Sequence, residues 1–178
     1  MNDSRKIFDG LLVLQYRSGD EKALELLVKR YHKKLCGRSH WYVKDMDISQ
    51  DIVQDCWRII MHKINDLKDE NAFESWAMRI VTRKSLNFLK REQRQREKLK
   101  SYGSMPREEE VYDEKTSEIQ KLNSALKSLP HNQQEVLQLF YKEEYSLNEI
   151  SEILQVSVGT IKSRLFHARE KLKTILKN

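Results

Sequence analysis

Side chains that could read DNA bases lie together on a helix predicted near the C-terminus. The apolar residues of this helix recur at three- and four-residue steps: Val158, Ile161, Leu165, Ala168 and Leu172. This spacing predicts one buried face. With successive residues about 100° apart, the opposite face carries Gly159, Ser163, Phe166 and His167, and Lys162 and Arg164 lie on its flanks. The residues suited to reading bases are Lys162, Ser163, Phe166 and His167. Such side chains can hydrogen-bond with base edges or pack on a thymine methyl group, as in a recognition helix in the major groove.

Three residues of the same helix suit the phosphate backbone instead: Thr160, Arg164 and Arg169. Phosphate contacts orient a protein on DNA without reading its sequence. Ser157 and Gly159 precede or begin the helix, where backbone amides can approach phosphate. A short amphipathic stretch, 146–154, comes before, so the pair is predicted to be a helix-turn-helix. The alternative is an ordinary helical hairpin that binds no DNA and whose basic face is only solvated. An outward-facing Phe166 argues against this alternative, because an exposed aromatic ring without a partner is unfavourable.

A second basic stripe is predicted on a long helix covering about 72–96. The stripe and its borders comprise Trp76, Arg79, Arg83, Asn87 and Lys90. Cations beside an aromatic ring can hold unstacked single-stranded bases. The alternative is that Trp76 belongs to the core and the cations only solubilise the helix. The buried side is expected to contain Phe73, Ala77, Ile80, Val81 and Phe88.

The helix predicted over 48–64 has an acidic outward face made of Asp51, Gln54, Asp55 and Arg58, with Trp57 at its border. Asp47 or Ser49 is expected to cap this helix. An ordinary hydrated face is one interpretation. The other is a docking surface for a basic partner helix, because the charges are expected to be unpaired within their own turn.

Metal binding and catalysis find little support. His32, Cys36 and His40 are spaced by four residues, but no fourth ligand is evident and Gly37 is a candidate interruption of the helix. The sequence contains no phosphate-cradling Gly-rich loop, nucleophile elbow or isolated acid pair. We therefore expect no active site, no metal and no cofactor.

The composition predicts an all-α protein of two small helical domains. The 178 residues carry a net charge of +6 and include 5 Gly and 2 Pro. The sign of the charge reverses across a central segment. Residues 90–100 include six Lys or Arg and two Glu, whereas residues 107–118 include two Lys or Arg and six Asp or Glu. We expect an N-terminal domain over 1–96, a charged flexible linker over 97–117 and a helix-turn-helix domain over 118–178.

The same composition favours a chain that stays in the cytoplasm. The first residues lack the basic-then-apolar order of a signal peptide, and no run of apolar residues is long enough for a membrane span. Two cysteines do not suggest a disulfide framework. A basic protein of this kind favours a polyanionic partner without requiring one.

Three segments in order resemble conserved regions of the extracytoplasmic-function sigma factors, the small two-domain specificity subunits of bacterial RNA polymerase. Residues 158–169 resemble the fourth conserved region of that family. Residues 50–55 are similar to its polymerase-binding helix, and residues 73–80 to its promoter-melting segment. The resemblance covers nearly the whole chain.

The resemblance implies a role for each surface. The face that contains Asp51 would bind core RNA polymerase at the clamp helices of its largest subunit, and the flap would be a second contact. The long helix and the loop over 66–71 would melt the start-proximal element of promoter DNA and capture a flipped base. The C-terminal helix would read the upstream element. An anti-sigma factor, commonly membrane-anchored in this family, is implied as a further partner, whereas a small-molecule substrate is not.

Departures from the family pattern bear on promoter choice. Arg83 stands where Asn is common, Gln155 where a turn glycine is frequent, and His167 where a second Arg is common. The expected function is therefore promoter-directed transcription initiation by a protein that is not itself an enzyme. Two alternatives stay open: a polymerase-independent helix-turn-helix repressor, and a decoy or adaptor that binds polymerase without initiating.

Overall fold

The computed structural model describes residues 2–100 and 118–177, in which helices and turns occur without any β-strand. The chain divides into two compact units, the first ending at Gly103 and the second beginning at Ser104. Unit 1 contains α1 (Asn2–Arg17), α2 (Glu21–Val43), α3 (Met46–Lys63) and α4 (Phe73–Lys100). Unit 2 contains α5 (Glu118–Lys127), α6 (His131–Leu137), α7 (Leu147–Leu154) and α8 (Val158–Lys177). The prediction of two all-α domains is confirmed.

Helix α2 is the centre of unit 1 and packs against α1, α3 and α4. The sequence Gly19-Asp20, a glycine followed by a good N-cap residue, predicts a helix boundary before α2, and the structure has one there. Gly19 has φ 102°, a conformation that glycine adopts without steric cost. Asp20 caps α2, and its side chain accepts a hydrogen bond from the backbone N–H of Lys22. This tight connection makes α1 and α2 an antiparallel pair.

The start of α3 differs from the sequence prediction. The cap is Asp45, whose side chain accepts a hydrogen bond from the backbone N–H of Ile48, so Asp47 and Ser49 lie inside the helix. The reason is the preceding residue, Lys44, which ends α2 in the left-handed conformation with φ 58°. The chain therefore reverses within two residues and α3 begins at once.

Helix α4 is longer than predicted and packs less evenly. It continues to Lys100, beyond the expected end at Arg96, because no proline or glycine interrupts its charged last turns. The expected core residues Phe73, Ala77 and Val81 are buried, whereas Ile80 and Phe88 are only half-buried. Most of the proposed linker, residues 101–117, lies outside the described residues, so the domain boundaries stay a prediction.

In unit 2, α7 and α8 form the predicted helix-turn-helix. Ser146 and Glu149 form a reciprocal capping box at the start of α7. Gln155 ends α7 with φ 55°, the left-handed conformation that the turn requires at the position where the family often has glycine. Ile161, Leu165 and Ala168 of α8 are buried against the rest of the unit, whereas the predicted core residues Val158 and Leu172 are half-buried.

The capping box gives a first prediction. Replacing Ser146 with Ala removes the hydroxyl that satisfies the N–H of Glu149, and we expect α7 to lose about 1 kcal/mol of stability. Hydrogen exchange of the α7 amides should accelerate about fivefold for that loss. Ser124→Ala, at an exposed position inside α5, is the control and should leave those rates unchanged. Equal rates in both variants would contradict a stabilising role for the box.

Candidate nucleic-acid and protein interfaces

The outward face of α8 presents the four residues predicted to read bases. Lys162, Ser163, Phe166 and His167 are all exposed; Ser163, Phe166 and His167 lie opposite the buried Ile161, Leu165 and Ala168, and Lys162 lies on the flank. Phe166 is 60 % exposed, and its ring meets the His167 ring edge-on with centroids 5.5 Å apart. An exposed phenylalanine supported by a neighbouring imidazole, on a helix held by three buried contacts, is a rigid platform for contacts in the major groove.

The residues predicted to meet phosphate differ in their surroundings. The Ser157 hydroxyl accepts a hydrogen bond from the Thr160 backbone N–H at 3.1 Å and lies 2.9 Å from the Thr160 hydroxyl. The Arg169 guanidinium lies over the ring of Phe140 at 5.8 Å and over that of Tyr141 at 5.5 Å. Arg164 is half-buried. Stacking fixes the Arg169 charge beside the recognition face, a placement that sequence spacing did not reveal.

The predicted basic stripe lies on the side of α4 opposite its core residues. Arg83, Asn87 and Lys90 are exposed, whereas Arg79 and Trp76 are half-buried. The Trp76 ring packs against Phe73, with centroids 6.1 Å apart and ring planes tilted by 51°. Trp76 therefore joins the core on one side and offers the rest of its ring to the surface. The sequence left two interpretations of Trp76, a core residue or a surface ring that stacks on bases, and its half-buried position is compatible with both.

The loop before α4 is held by a residue that sequence reasoning missed. The Arg17 guanidinium donates hydrogen bonds to the Ile64 carbonyl at 3.1 and 2.7 Å and to the Leu67 carbonyl at 2.5 Å, and it pairs with Glu70 at 2.5 Å. Short 3₁₀ turns at Ile64–Asp66 and Glu70–Ala72 replace the irregular loop expected there. Because 47 to 53 residues separate Arg17 from these partners, no local pattern could reveal the contact.

Close packing between α1 and the loop adds a second restraint. A Cβ atom at Gly10 would lie 2.6 Å from the Asn71 side-chain oxygen, so only glycine permits this approach without a shift. At Glu70, a hydrogen bond from its own backbone amide and the neighbouring Arg17 lower the pKa of the carboxyl group. The loop before α4 is thus held against α1 by Arg17 and by the close packing at Gly10.

Removing the Arg17 guanidinium should release this loop. For Arg17→Gln we expect unit 1 to lose about 1–3 kcal/mol, the usual cost of unpaired groups in a part-buried network. Hydrogen exchange should increase first at the amides of 64–72. Because the pKa of Glu70 is lowered in the folded state, the contribution of its pair with Arg17 is present at neutral pH and is lost as the pH falls through that pKa. Arg5→Gln, exposed on α1, is the control; similar exchange in both variants would contradict this role.

The acidic face of α3 is exposed as predicted, but one of its charges is paired. Asp51, Gln54, Asp55 and Arg58 all point outward. The charges are not all unpaired within their own turn, because Arg58 donates to Asp55 at 2.7 Å. An exposed pair of this kind is worth little and is easily exchanged for another partner. Trp57 is buried rather than at the border, and its indole N–H has no acceptor within the described residues.

The possible zinc ligands do not assemble into a site. Helix α2 continues through Gly37, and the Cys36 sulfur lies 3.6 Å from Nε2 of His32. Burial raises the pKa of the Cys36 thiol, which disfavours the thiolate that zinc requires. Among residues 2–100 and 118–177, no cluster of three or more His, Cys, Asp or Glu side chains could hold a metal ion. Nor does any helix in these ranges have the length and apolar character to cross a bilayer.

Comparison with known proteins accounts for both units. The family profile "Sigma-70 region 2" matches residues 27–95, and "Sigma-70, region 4" matches residues 125–174. The first range includes the α3 face and the α4 stripe, and the second includes the whole helix-turn-helix. The repressor interpretation left the N-terminal motifs without a role, whereas these matches cover them.

Full-length relatives agree. The chain is 30 % identical over 192 residues to the ECF RNA polymerase sigma-E factor of Haemophilus influenzae, with 96 % of each chain covered. It is 28 % identical to the protein of the same name from Escherichia coli, with 94 % of this chain and 93 % of that protein covered.

Two solved structures share the fold. One is CnrH in complex with the cytosolic domain of CnrY, with a TM-score of 0.63, 24 % identity and coverage of 96 % of this chain and 97 % of that one. The other is the sigma factor RpoE of Bartonella quintana in complex with the anti-sigma factor NepR, with a TM-score of 0.66, 20 % identity and coverage of 88 % and 98 %. The chain belongs to the ECF sigma factors of RNA polymerase, which act in promoter-specific transcription.

Proposed function

We propose that three exposed surfaces divide the work of initiation: the α3 face binds core polymerase, the α4 stripe opens the promoter, and the α8 face reads the upstream element. The observation that carries this proposal is the α8 face, where Phe166 stands exposed among hydrogen-bonding side chains over a buried backing. An exposed aromatic ring on a rigid helix is costly unless a partner covers it. Promoter DNA is the partner that suits both this face and its cations.

The α3 face would bind the clamp helices of the largest polymerase subunit. Asp51 makes no ion pair with a described residue, and Asp55 has only its exposed pair with Arg58. A basic helix could therefore engage both carboxylates at small cost. Gln54 is exposed on the same face and supplies a neutral hydrogen-bonding group.

The α4 stripe and the fastened loop before it would separate the strands of the start-proximal element. Unstacking a base step costs about a few kcal/mol, which the contacts to unpaired bases and to polymerase together offset. Arg83 and Lys90 suit the backbone of the captured strand, and the half-exposed Trp76 ring suits a base. Arg17 would position the loop without touching DNA.

The helix-turn-helix would read the upstream element with Lys162, Ser163, Phe166 and His167 in the major groove. Thr160, Arg164 and Arg169 would meet phosphates. The linker would join the two DNA-binding units, so that binding of one raises the effective concentration of the other. Neither unit alone would then hold a promoter well.

Further partners follow from the same function. Unit 2 would also contact the polymerase flap. The relatives CnrH and RpoE were each solved in a complex, RpoE with an anti-sigma factor, and we expect an anti-sigma partner for this chain, in the membrane-anchored or the unanchored form. The chain would have no enzymatic activity of its own and would act in the cytoplasm, where polymerase is.

The melting role can be tested with exposed residues alone. For the triple variant Arg83→Ala, Asn87→Ala, Lys90→Ala we expect normal core binding and normal closed complexes, but open complexes reduced by about tenfold or more, since several single-strand contacts are lost. Permanganate reactivity of thymines in the start-proximal element measures opening. A premelted template should restore part of the activity.

The matched control is Arg96→Ala, a cation on the opposite side of α4 that pairs with Glu92. It should open promoters normally. Equal opening by the triple variant and the control would contradict the assignment of the stripe. A loss of closed complexes in the triple variant would instead assign these residues to duplex binding.

A further inference from the structure

An apolar seam runs along the exposed side of α1. Its residues occupy successive d, a and d positions of a heptad pattern: Ile7, Leu11 and Leu14. The three aliphatic side chains are 58 %, 53 % and 49 % exposed, and Phe8 beside them is 45 % exposed. Proteins seldom leave such a continuous stripe uncovered, because burying each of these side chains is favourable.

The seam cannot turn inward, because the opposite side of α1 is fastened to the core. Leu12 and Val13 are buried there. Asp9 is 2 % exposed, and its carboxylate accepts hydrogen bonds from Nε of Arg30 at 2.8 Å and from the Tyr31 hydroxyl. The seam is therefore a fixed outward surface, presented by the same contacts that hold α1 in place.

Helix α2 packs beside α1 and carries a row of exposed cations. The contacts of Asp9 set the register of the antiparallel pair, so Leu14 lies level with Leu26, which is 43 % exposed, and Ile7 lies level with Lys33. The exposed charges between residues 22 and 33 are four cations and the single carboxylate Glu25, the cations being Lys22, Lys29, Arg30 and Lys33. The three lysines make no ion pair within the described ranges.

We propose that this seam, with Leu26 and the α2 cations, docks an amphipathic helix of a partner protein that is apolar on its inner side and acidic on its flank. The heptad spacing suits two helices that cross at a shallow angle. The stretch from Ile7 to Leu14 is about 10 Å long, or two helical turns. Carboxylates on the partner would meet the lysine row of α2. The surface shares no residue with the three proposed for initiation, so the proposal stands or falls independently of them.

Other occupants fit the surface less well. A second copy of this chain would bring a like-charged lysine row against the first, which opposes association. Nucleic acid would find cations but would leave the branched aliphatic side chains of the seam uncovered. A bilayer suits helices with a broad apolar face, whereas this stripe has the narrow width of a coiled-coil seam.

The test uses the full-length protein as the target for phage-displayed helical peptides three heptads long. Leucine is fixed at a and d, and the flanking e and g positions vary among Glu, Lys and Gln. We expect recovered peptides to carry Glu in excess over Lys. Leu11→Ser with Leu14→Ser should lower the affinity of a recovered peptide by about tenfold or more. Leu86→Ser, at an exposed leucine of α4, is the control and should not affect binding.

Charge reversal provides the second readout. Lys29→Glu with Lys33→Glu should abolish the preference for Glu while leaving thermal unfolding unchanged. The proposal would be overturned if a recovered peptide bound the Leu11→Ser, Leu14→Ser variant as tightly as the wild type. It would also be overturned if the recovered peptides carried Lys in excess over Glu. The same holds for a wild-type dimer in sedimentation velocity that the seam variant abolishes, or for seam-dependent flotation with phosphatidylglycerol vesicles in the absence of any selected acidic peptide.

Discussion

Reversing Asp51 and Asp55 together to Lys is expected to abolish the binding of core polymerase while leaving the fold of unit 1 intact. Both side chains are exposed on α3 and neither has a buried partner. Their removal therefore costs the folded chain almost nothing, whereas two cations facing a basic partner helix are strongly repelled. We expect the affinity for core to fall by about 100-fold or more, which is about 2.7 kcal/mol.

Binding of labelled core by the wild type and the variant at several salt concentrations measures this loss. Glu21→Lys with Glu25→Lys on α2 changes the net charge equally and is the matched control. Circular dichroism and thermal unfolding should be alike for all three proteins. If the double variant at Asp51 and Asp55 retained core affinity, the assignment of the α3 face would be wrong.

Single substitutions at Lys162 and His167 are expected to change which upstream bases are tolerated. Both side chains project from α8 beside the exposed Phe166, and neither supports the core. Loss of a base-edge hydrogen bond should remove about 1–3 kcal/mol of discrimination at one base pair and leave the other positions unaffected. Transcription by the reconstituted holoenzyme on promoters randomised in the upstream element measures each preference.

A phosphate contact should behave differently. Arg164→Ala is expected to weaken all promoters alike and to reduce the salt dependence of binding by about one unit of slope. This variant is therefore the comparison for the base-reading residues. If Lys162→Ala and His167→Ala also weakened all sequences equally, both residues would be phosphate contacts and specificity would have to come from elsewhere on α8.

The features that sequence predicted well are those with a local cause. The three- and four-residue spacing of Ile161, Leu165 and Ala168 fixed the rotation of α8, and with it which residues face outward. Gly19 and Asp20 marked a helix boundary because glycine and an N-cap residue act through their own backbone. The two-domain, all-α fold followed from such signals.

Features that depend on distant contacts were not predictable. The bonds from Arg17 to the loop before α4 join residues far apart in the chain, and nothing in the sequence around Arg17 distinguishes it from the other cations of the chain. The cap of α3 was misplaced because Lys44 adopts a left-handed conformation that lysine rarely takes. The pair of Asp55 and Arg58 depends on rotamer choice, which spacing permits without requiring it.

Helix periodicity also could not assign the two faces of α1. The helix has apolar residues on both sides, and only the burial of Asp9 with Arg30 and Tyr31 decides which side packs inward. A charged residue at the centre of a buried face is the reverse of the usual pattern. The exposed seam of Ile7, Leu11 and Leu14 therefore becomes visible only in the structure.

The most direct test of the central claim is transcription in vitro with purified core polymerase on fragmented genomic DNA, with RNA start sites mapped in the presence and absence of this protein. We predict new start sites that share two spaced upstream elements, one for each DNA-binding unit. Stable core binding without new starts would contradict the claim in favour of a decoy. A lack of any core binding would contradict it in favour of a repressor.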